Sequence, residues 1–226
     1  MRRAILGAAA ALFLLAVAAA QAAADTQDFD KRGFAYSQAP ADAPGFDYYV
    51  LALSWAPTFC ASHPADRAEC GARRGFVAHG LWPQYAAGGG PEHCTSVAEL
   101  DPQTIERAKD AIPDERLIRH EWAAHGTCSG LPPRDYFLTL IRALGRLSIP
   151  AEFDGQAPHS MTASQIVAAF VKANPKLPSS SLALSCRWSQ LEEVRVCLSP
   201  QLDPRPCGSD VRTHCRSGPF TIGTMR

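Results

Sequence analysis

No net charge remains on this chain of 226 residues, because its 22 lysines and arginines are balanced by 22 aspartates and glutamates. A protein that holds nucleic acid through a general basic field is therefore not expected. Beyond residue 24 there is also no apolar run long enough to cross a bilayer, so we predict a soluble mature protein with no membrane partner. No internal repeat or low-complexity stretch occurs, and the remaining length suits one domain with its own core.

The start of the chain has the pattern of a secretory signal peptide. Two arginines follow Met1, an apolar run continues to Ala20, and small residues extend to Ala24. We expect residues 1–24 to be removed and the protein to be secreted or periplasmic. Residues 25–45 are polar and lack periodicity, so they are predicted to form a flexible extension before a folded domain at residues 46–226.

Cys-x-x-Cys pairs are absent, which disfavours a structural zinc site. The chain nevertheless has eight cysteines, and all of them follow the signal segment. An even number of cysteines in an oxidising compartment predicts disulfides, four in this case. They are Cys60, Cys70, Cys94, Cys128, Cys186, Cys197, Cys207 and Cys215.

The order of helices and strands lacks a βαβ rhythm and predicts an α+β domain. Strands are expected at residues 47–54, at Phe76–His79 with an end at Gly80 and Pro83, and around Val194, Val196 and Leu198. Helices are expected after the Asp101-Pro102 cap, over Arg116–His125, along an apolar stripe from Tyr136 to Leu147, and after a capping box of Thr162 and Gln165.

Two short segments concentrate groups suited to acid–base chemistry. One reads FVAHGLWP and carries His79, and the other reads HEWAAHGTC and runs from His120 to Cys128. An imidazole is half protonated near neutral pH, so two histidines can supply one base and one acid together. This combination is what the transesterification of a phosphodiester requires.

The second segment differs from the zinc signature H-E-x-x-H, in which histidines four apart share a helix face. On a regular helix, His120 and His125 would lie roughly 140° apart, whereas Glu121 and His125 would share a face. This spacing favours a carboxylate that supports an imidazole, and we predict no metal and no other cofactor.

Together the HGLWP and HEWAAHGTC segments resemble the two active-site motifs of the ribonuclease T2 family. The resemblance extends from about Tyr48 to Cys215 and includes the spread of cysteines. It implies a single disulfide-bonded α+β domain with a central, mainly antiparallel sheet flanked by helices. It also implies the pairing Cys60–Cys70, Cys94–Cys128, Cys186–Cys215 and Cys197–Cys207.

The resemblance further implies a secreted, monomeric, metal-independent endoribonuclease with broad base preference, whose products are 2′,3′-cyclic phosphates. His125 matches the base, His79 the acid, His120 a phosphate-binding histidine, and Glu121 a carboxylate that supports the transition state. RNA is the expected partner, and DNA is not, because it lacks the 2′-hydroxyl. Two further positions match nucleobase-binding residues of relatives, Trp82 by stacking and Gln84 by reading a base edge.

Two positions depart from the family pattern. Relatives usually have lysine where this chain has Ala124, and often have glutamine where it has Ser54. The lost lysine charge leaves two alternatives: another cation, Arg119 or Arg134, replaces it, or activity is weak. In the second case the chain is a secreted binding protein on the same fold. With Ala124 in that position we also expect Glu121 to raise the pKa of His125.

Overall fold

A computed structural model describes residues 45–95, 99–154 and 157–225. The predicted signal peptide and all but the last residue of the predicted extension lie outside these ranges. The strands are β1 (Tyr48–Trp55), β2 (Phe76–Gln84), β3 (His159–Met161), β4 (Leu182–Arg187), β5 (Gln190–Leu198) and β6 (Phe220–Ile222). The helices are α1 (Ala56–Ser62), α2 (Arg67–Cys70), α3 (Pro102–Ala108), α4 (Glu115–Ala124), α5 (Pro133–Gly145) and α6 (Ala163–Ala173).

These strands form one sheet in the order β2-β1-β5-β6-β3, with β4 also paired to β5. The pairs β1–β2, β1–β5, β4–β5 and β3–β6 are antiparallel, and β5 meets β6 in parallel. Among the described residues, no helix is long and apolar enough to cross a membrane. The predicted α+β class with a mainly antiparallel sheet is confirmed.

The sheet separates two hydrophobic clusters, because side chains alternate between its faces. Tyr49, Leu51 and Leu53 of β1 belong to a large core that also contains buried residues of the longer helices. Tyr48 and Val50 face the opposite way and belong to a smaller cluster, against which Trp82 packs. Trp82 therefore lies on the face away from the main core.

Local signals for the helix starts are confirmed. Asp101 caps α3 through the amides of Gln103 and Thr104, and Thr162 forms the predicted capping box with Gln165 at the start of α6. In α5 the predicted stripe is buried at Tyr136 and Leu140, among other positions.

The predicted end of the second strand is wrong. β2 passes through Gly80 and Pro83 and ends at Gln84. Proline is tolerated here because β2 is an edge strand, where one row of amides needs no ladder partner. The register slips between Ala52 and Leu53 of β1, which pair with Gly80 and Ala78 and leave His79 as the extra residue of a bulge. A bulge bends the strand locally and re-aims side chains.

Four disulfides connect the described elements in the pairing that the resemblance implies: Cys60–Cys70, Cys94–Cys128, Cys186–Cys215 and Cys197–Cys207. Of these, Cys94–Cys128 attaches the loop before α3 to the short 3-10 turn Gly126–Cys128 that follows α4.

Candidate active site

The site forms where α4 packs against the bulge of β2, so that the two sequence motifs meet. Gly80 permits this approach: a Cβ atom at this position would collide with the carboxylate of Glu121. Glycine is thus needed next to His79 because the buried carboxylate of Glu121 lies against the strand at this position.

Glu121 lies beneath the strand with only 1% of its surface exposed. Its Oε2 accepts a hydrogen bond of 2.8 Å from the indole N–H of Trp82, and its Oε1 lies 3.7 Å from Nε2 of His79. The glutamate therefore lies between His79 and Trp82 of β2.

Trp82 occupies the centre of the site. Its ring centroid is 5.1 Å from that of His79 and 5.5 Å from that of His125, and the guanidinium carbon of Arg195 lies 5.5 Å from the ring. Both proposed proton-transfer histidines thus contact one aromatic side chain, which itself remains partly exposed.

His125 lies just beyond the end of α4, not within it. It is the C-cap residue, with φ −120° and ψ −42°, and its amide donates to the carbonyl of Glu121. Because the helix ends before His125, Glu121 does not place its carboxylate beside that imidazole, as the shared helix face had suggested. The carboxylate is directed to Trp82 and His79.

The expected rise in the pKa of His125 is therefore wrong. Burial lowers the pKa of His125 to about 4, and the positive charges of His120, His79 and His93 act in the same direction. Its Nδ1 atom is buried without a hydrogen-bond partner in the described part of the chain. At neutral pH His125 is thus an uncharged imidazole, which can accept a proton.

His79 has the opposite shift. Burial by itself would lower its pKa, but a hydrogen bond to Glu193 and the charges of Glu121, Glu193 and Glu69 outweigh burial and raise the pKa above the ordinary value. His79 therefore keeps its proton to a higher pH than an ordinary histidine and can donate that proton. Environments that push the pKa values of neighbouring groups apart mark a division between acid and base.

Burial also raises the pKa of Glu121, to about 7. The charge of His79 and the indole N–H oppose this shift without cancelling it. Near neutral pH a large fraction of Glu121 carries a proton, so the side chain can donate a hydrogen bond toward an anionic ligand.

The remaining predicted residues lie around this centre. His120 is exposed on α4 and close enough for its charge to act on His125. Gln84 lies two residues beyond Trp82, and its amide donates to the carbonyl of Pro83. Of the proposed replacement cations, Arg119 forms an ion pair of 2.8 Å with Glu115, and Arg134 lies in the first turn of α5.

Sequence reasoning missed Glu193 and Arg195, both on β5. Oε1 of Glu193 lies 2.9 Å from Nδ1 of His79, and Nε of Arg195 donates to Oε2 of Glu193 at 2.6 Å. The alternation of Val194 and Val196 does place Glu193 and Arg195 on the opposite face of the sheet. What could not be read from the sequence is which strand lies beside β1 and in which register.

In the ranges that the structure describes, no group of three or more histidine, cysteine, aspartate or glutamate side chains could hold a metal ion.

Known proteins resemble this chain in sequence. The model of the Ribonuclease T2 family matches residues 46–207. A ribonuclease of Aeromonas hydrophila is 37% identical over 191 residues, which cover 79% of this chain and 86% of that protein.

Solved structures share the fold. An RNase-related protein from Calystegia sepium has a TM-score of 0.61 and 23% identity, and the match covers 80% of this chain and 97% of that one. A mutant of RNase MC1 from bitter gourd, solved with 5′-UMP, has a TM-score of 0.62 and 21% identity, with coverage of 77% and 97%.

Proposed function

Because the chain belongs to the ribonuclease T2 family and is an RNA-cleaving endoribonuclease, we propose that it cleaves single-stranded RNA by transesterification, without a metal ion. The observation that supports this mechanism best is the opposite displacement of two pKa values in one site. His125 is uncharged and His79 is charged at the same pH.

In the proposed step, His125 removes the proton from a ribose 2′-hydroxyl. The 2′-oxygen forms a bond to phosphorus while the bond from phosphorus to the 5′-oxygen breaks. His79 gives its proton to the departing 5′-oxygen, so the products are a 2′,3′-cyclic phosphate and a free 5′-hydroxyl. DNA has no 2′-hydroxyl and is not a substrate.

Other side chains assist this step through their positions. Glu121, with a pKa of about 7, donates a hydrogen bond to a phosphate oxygen as negative charge develops in the transition state. His120, exposed beside the site, contacts the phosphate. Trp82 stacks on a nucleobase, the usual way in which splayed RNA bases are held, and Gln84 contacts a base edge.

We also propose the compartment in which the enzyme acts. Four disulfides and the signal-like start of the sequence favour a secreted or periplasmic protein. With zero net charge, RNA contacts are local to the site, which suits a monomeric nuclease of broad base preference.

The test uses a dinucleoside monophosphate, with and without EDTA, and mass analysis of the products. Cleavage in EDTA that yields a cyclic phosphate is expected. His79→Ala or His125→Ala each lowers the rate by roughly 10²–10⁴-fold, because each removes a proton transfer. His63→Ala is the matched control, since His63 is exposed, belongs to neither motif and stacks on Phe59. Cleavage that requires a metal, or full activity in either active-site variant, would contradict the mechanism.

A further inference from the structure

A buried carboxylate outside both sequence motifs contacts the proton donor of the site. Glu193 lies on β5 with 5% of its surface exposed, and its Oε1 accepts a hydrogen bond from Nδ1 of His79 at 2.9 Å. Its other oxygen accepts from Nε of Arg195. His79 and Glu193 are 114 residues apart in sequence, so only the sheet brings them together.

We propose that Glu193, fixed in place by Arg195, is a positioning residue that sets the tautomer and ring orientation of His79, so that Nε2 delivers the proton. This inference rests on the proposed function, because it assigns a supporting role to a residue of the same site.

The two carboxylates that face His79 differ in charge, and this difference separates their roles. Burial raises the pKa of Glu121, whereas for Glu193 the hydrogen bond from His79 and the charge of Arg195 outweigh burial and lower the pKa. Glu193 is therefore the ionised acceptor at Nδ1, whereas Glu121, with a pKa of about 7, is only partly ionised near neutral pH.

Other groups around His79 act on the same imidazole. Glu69 of α2 favours its charged form, and His125 is the positively chargeable neighbour from the end of α4. The contact with Glu193 differs from these because it is a direct hydrogen bond to one ring nitrogen.

Tautomer control follows from that hydrogen bond. When Nδ1–H is held by a carboxylate, the proton that the imidazolium releases comes from Nε2, and the neutral ring that remains keeps its proton on Nδ1. Nε2 then bears a free lone pair and can accept a proton in hydrolysis of the cyclic product. The same ring orientation thus serves both directions of proton transfer.

A buried ion pair is poor support for stability, because desolvation offsets most of the attraction. Glu193 and Arg195 occupy a partly buried face of the sheet beside Trp82 and His79, where apolar residues would pack at lower cost. We therefore attribute this charged pair to the orientation of His79, the proposed proton donor.

The decisive variant is Glu193→Gln, which keeps the shape and removes the charge. We expect kcat to fall roughly 10–100-fold, as when the hydrogen-bond partner behind a functional histidine is lost, with little change in KM. The alkaline limb of the kcat/KM profile and the NMR titration of His79 both move to lower pH. Glu192→Gln is the matched control, since this neighbouring acid pairs with Arg187 and Ser185. It should leave kcat, KM, the pH profile and the titration of His79 unchanged.

Arg195→Met gives an independent test that holds even where Glu193→Gln does not fold. Without the cation, nothing offsets the negative charge of Glu193 at His79. The pKa of His79 therefore rises and its NMR titration moves to higher pH, while kcat falls because Glu193 is no longer fixed in place. Opposite shifts in the two variants support the proposal. Unchanged kcat and unchanged titration in whichever variant folds would overturn it, and the NMR titration remains informative if the wild type fails to cleave RNA.

Discussion

At the scale of single residues, burial and charge decide the protonation of four groups that lie within one site. His125 and His79 have oppositely displaced pKa values, as do Glu193 and Glu121. The proposed mechanism therefore requires no unusual pH: a neutral His125, a charged His79 and a protonated Glu121 coexist in mildly acidic solution.

The pH dependence of kcat/KM follows from these two histidines and from Glu121 in the free enzyme. We expect a bell-shaped profile whose acid limb lies near pH 4, where His125 gains its proton, and whose alkaline limb lies above the ordinary histidine value, where His79 and Glu121 lose their protons. The measurement is a pH–rate profile with a dinucleoside monophosphate. A rate that rises steadily into alkaline solution would show that no protonated imidazole takes part.

Glu121 also affects stability. Its pKa is raised from 4.5 to about 7 on folding, so the folded state favours the protonated carboxyl, and that contribution is lost as pH rises through this interval. Glu121→Gln cannot ionise. We expect the difference in free energy of unfolding, variant minus wild type, to increase by up to about 3 kcal/mol between pH 4.5 and pH 7.

Urea unfolding at several pH values measures this difference. Glu106→Gln serves as control, because Glu106 is exposed and pairs with Lys109 on α3. A difference between Glu121→Gln and wild type that stays constant over the interval would mean that folding does not raise the pKa of Glu121.

At the scale of elements, the sequence predicts what depends on neighbours along the chain. The caps of α3 and α6 and the buried stripe of α5 are local patterns, and all three are present. The continuation of β2 through Gly80 and Pro83 was not predictable, because it depends on β2 lying at the edge of the sheet.

The residues of the site also differ in whether the local sequence predicts them. His79, Trp82, Glu121 and His125 are found by their motifs, but the end of α4 before His125 reverses the electrostatic expectation drawn from helix spacing. Glu193 stands on a strand without a motif. Its contact with His79 depends on the pairing of β5 with β1, opposite Ser54, which no local pattern specifies.

The bulge of β2 can be tested with Gly80→Ala. The added methyl group occupies the space of the Glu121 carboxylate, so that side chain must move away from Trp82. We expect loss of about 1–3 kcal/mol of stability, as for other overpacked sites, together with a lower kcat. Thermal unfolding and kinetics measure the two effects.

Gly145→Ala is the matched control for that substitution. Gly145 ends α5, and nothing lies within 4 Å of an added Cβ atom. Alanine there should leave activity unchanged and stability equal or slightly higher, because glycine is a poor helix residue. Wild-type kcat in Gly80→Ala would show that the close approach of Glu121 is not required.

At the scale of the whole molecule, the two faces of the sheet carry hydrophobic clusters of different size. The larger cluster includes buried residues of the longer helices, whereas Trp82 packs against the smaller one. One disulfide ends close to His125 in sequence, so its effect on activity can be measured apart from its effect on stability.

Cys94–Cys128 supports the site. It joins the loop that carries His93 to the turn after α4, where the amide of His93 donates to the carbonyl of Ala124 and the amide of Cys94 donates to Oγ1 of Thr127. Both contacts lie within a few residues of His125. Removal of the bridge therefore frees the segment that places the proposed base.

The contribution of this bridge can be measured by comparing Cys94→Ala/Cys128→Ala with Cys186→Ala/Cys215→Ala. The two bridges span similar separations, 34 and 29 residues, so both double variants should lose about 2–5 kcal/mol of stability for the same reason of chain entropy. Only the first should also lower kcat under conditions in which both proteins remain folded, because only that bridge holds the turn beside His125. Denaturant unfolding gives the stabilities, and kinetics at low temperature give kcat for the folded fraction. Equal kcat values for the two variants would mean that α4 alone positions His125 and that the bridge contributes stability only.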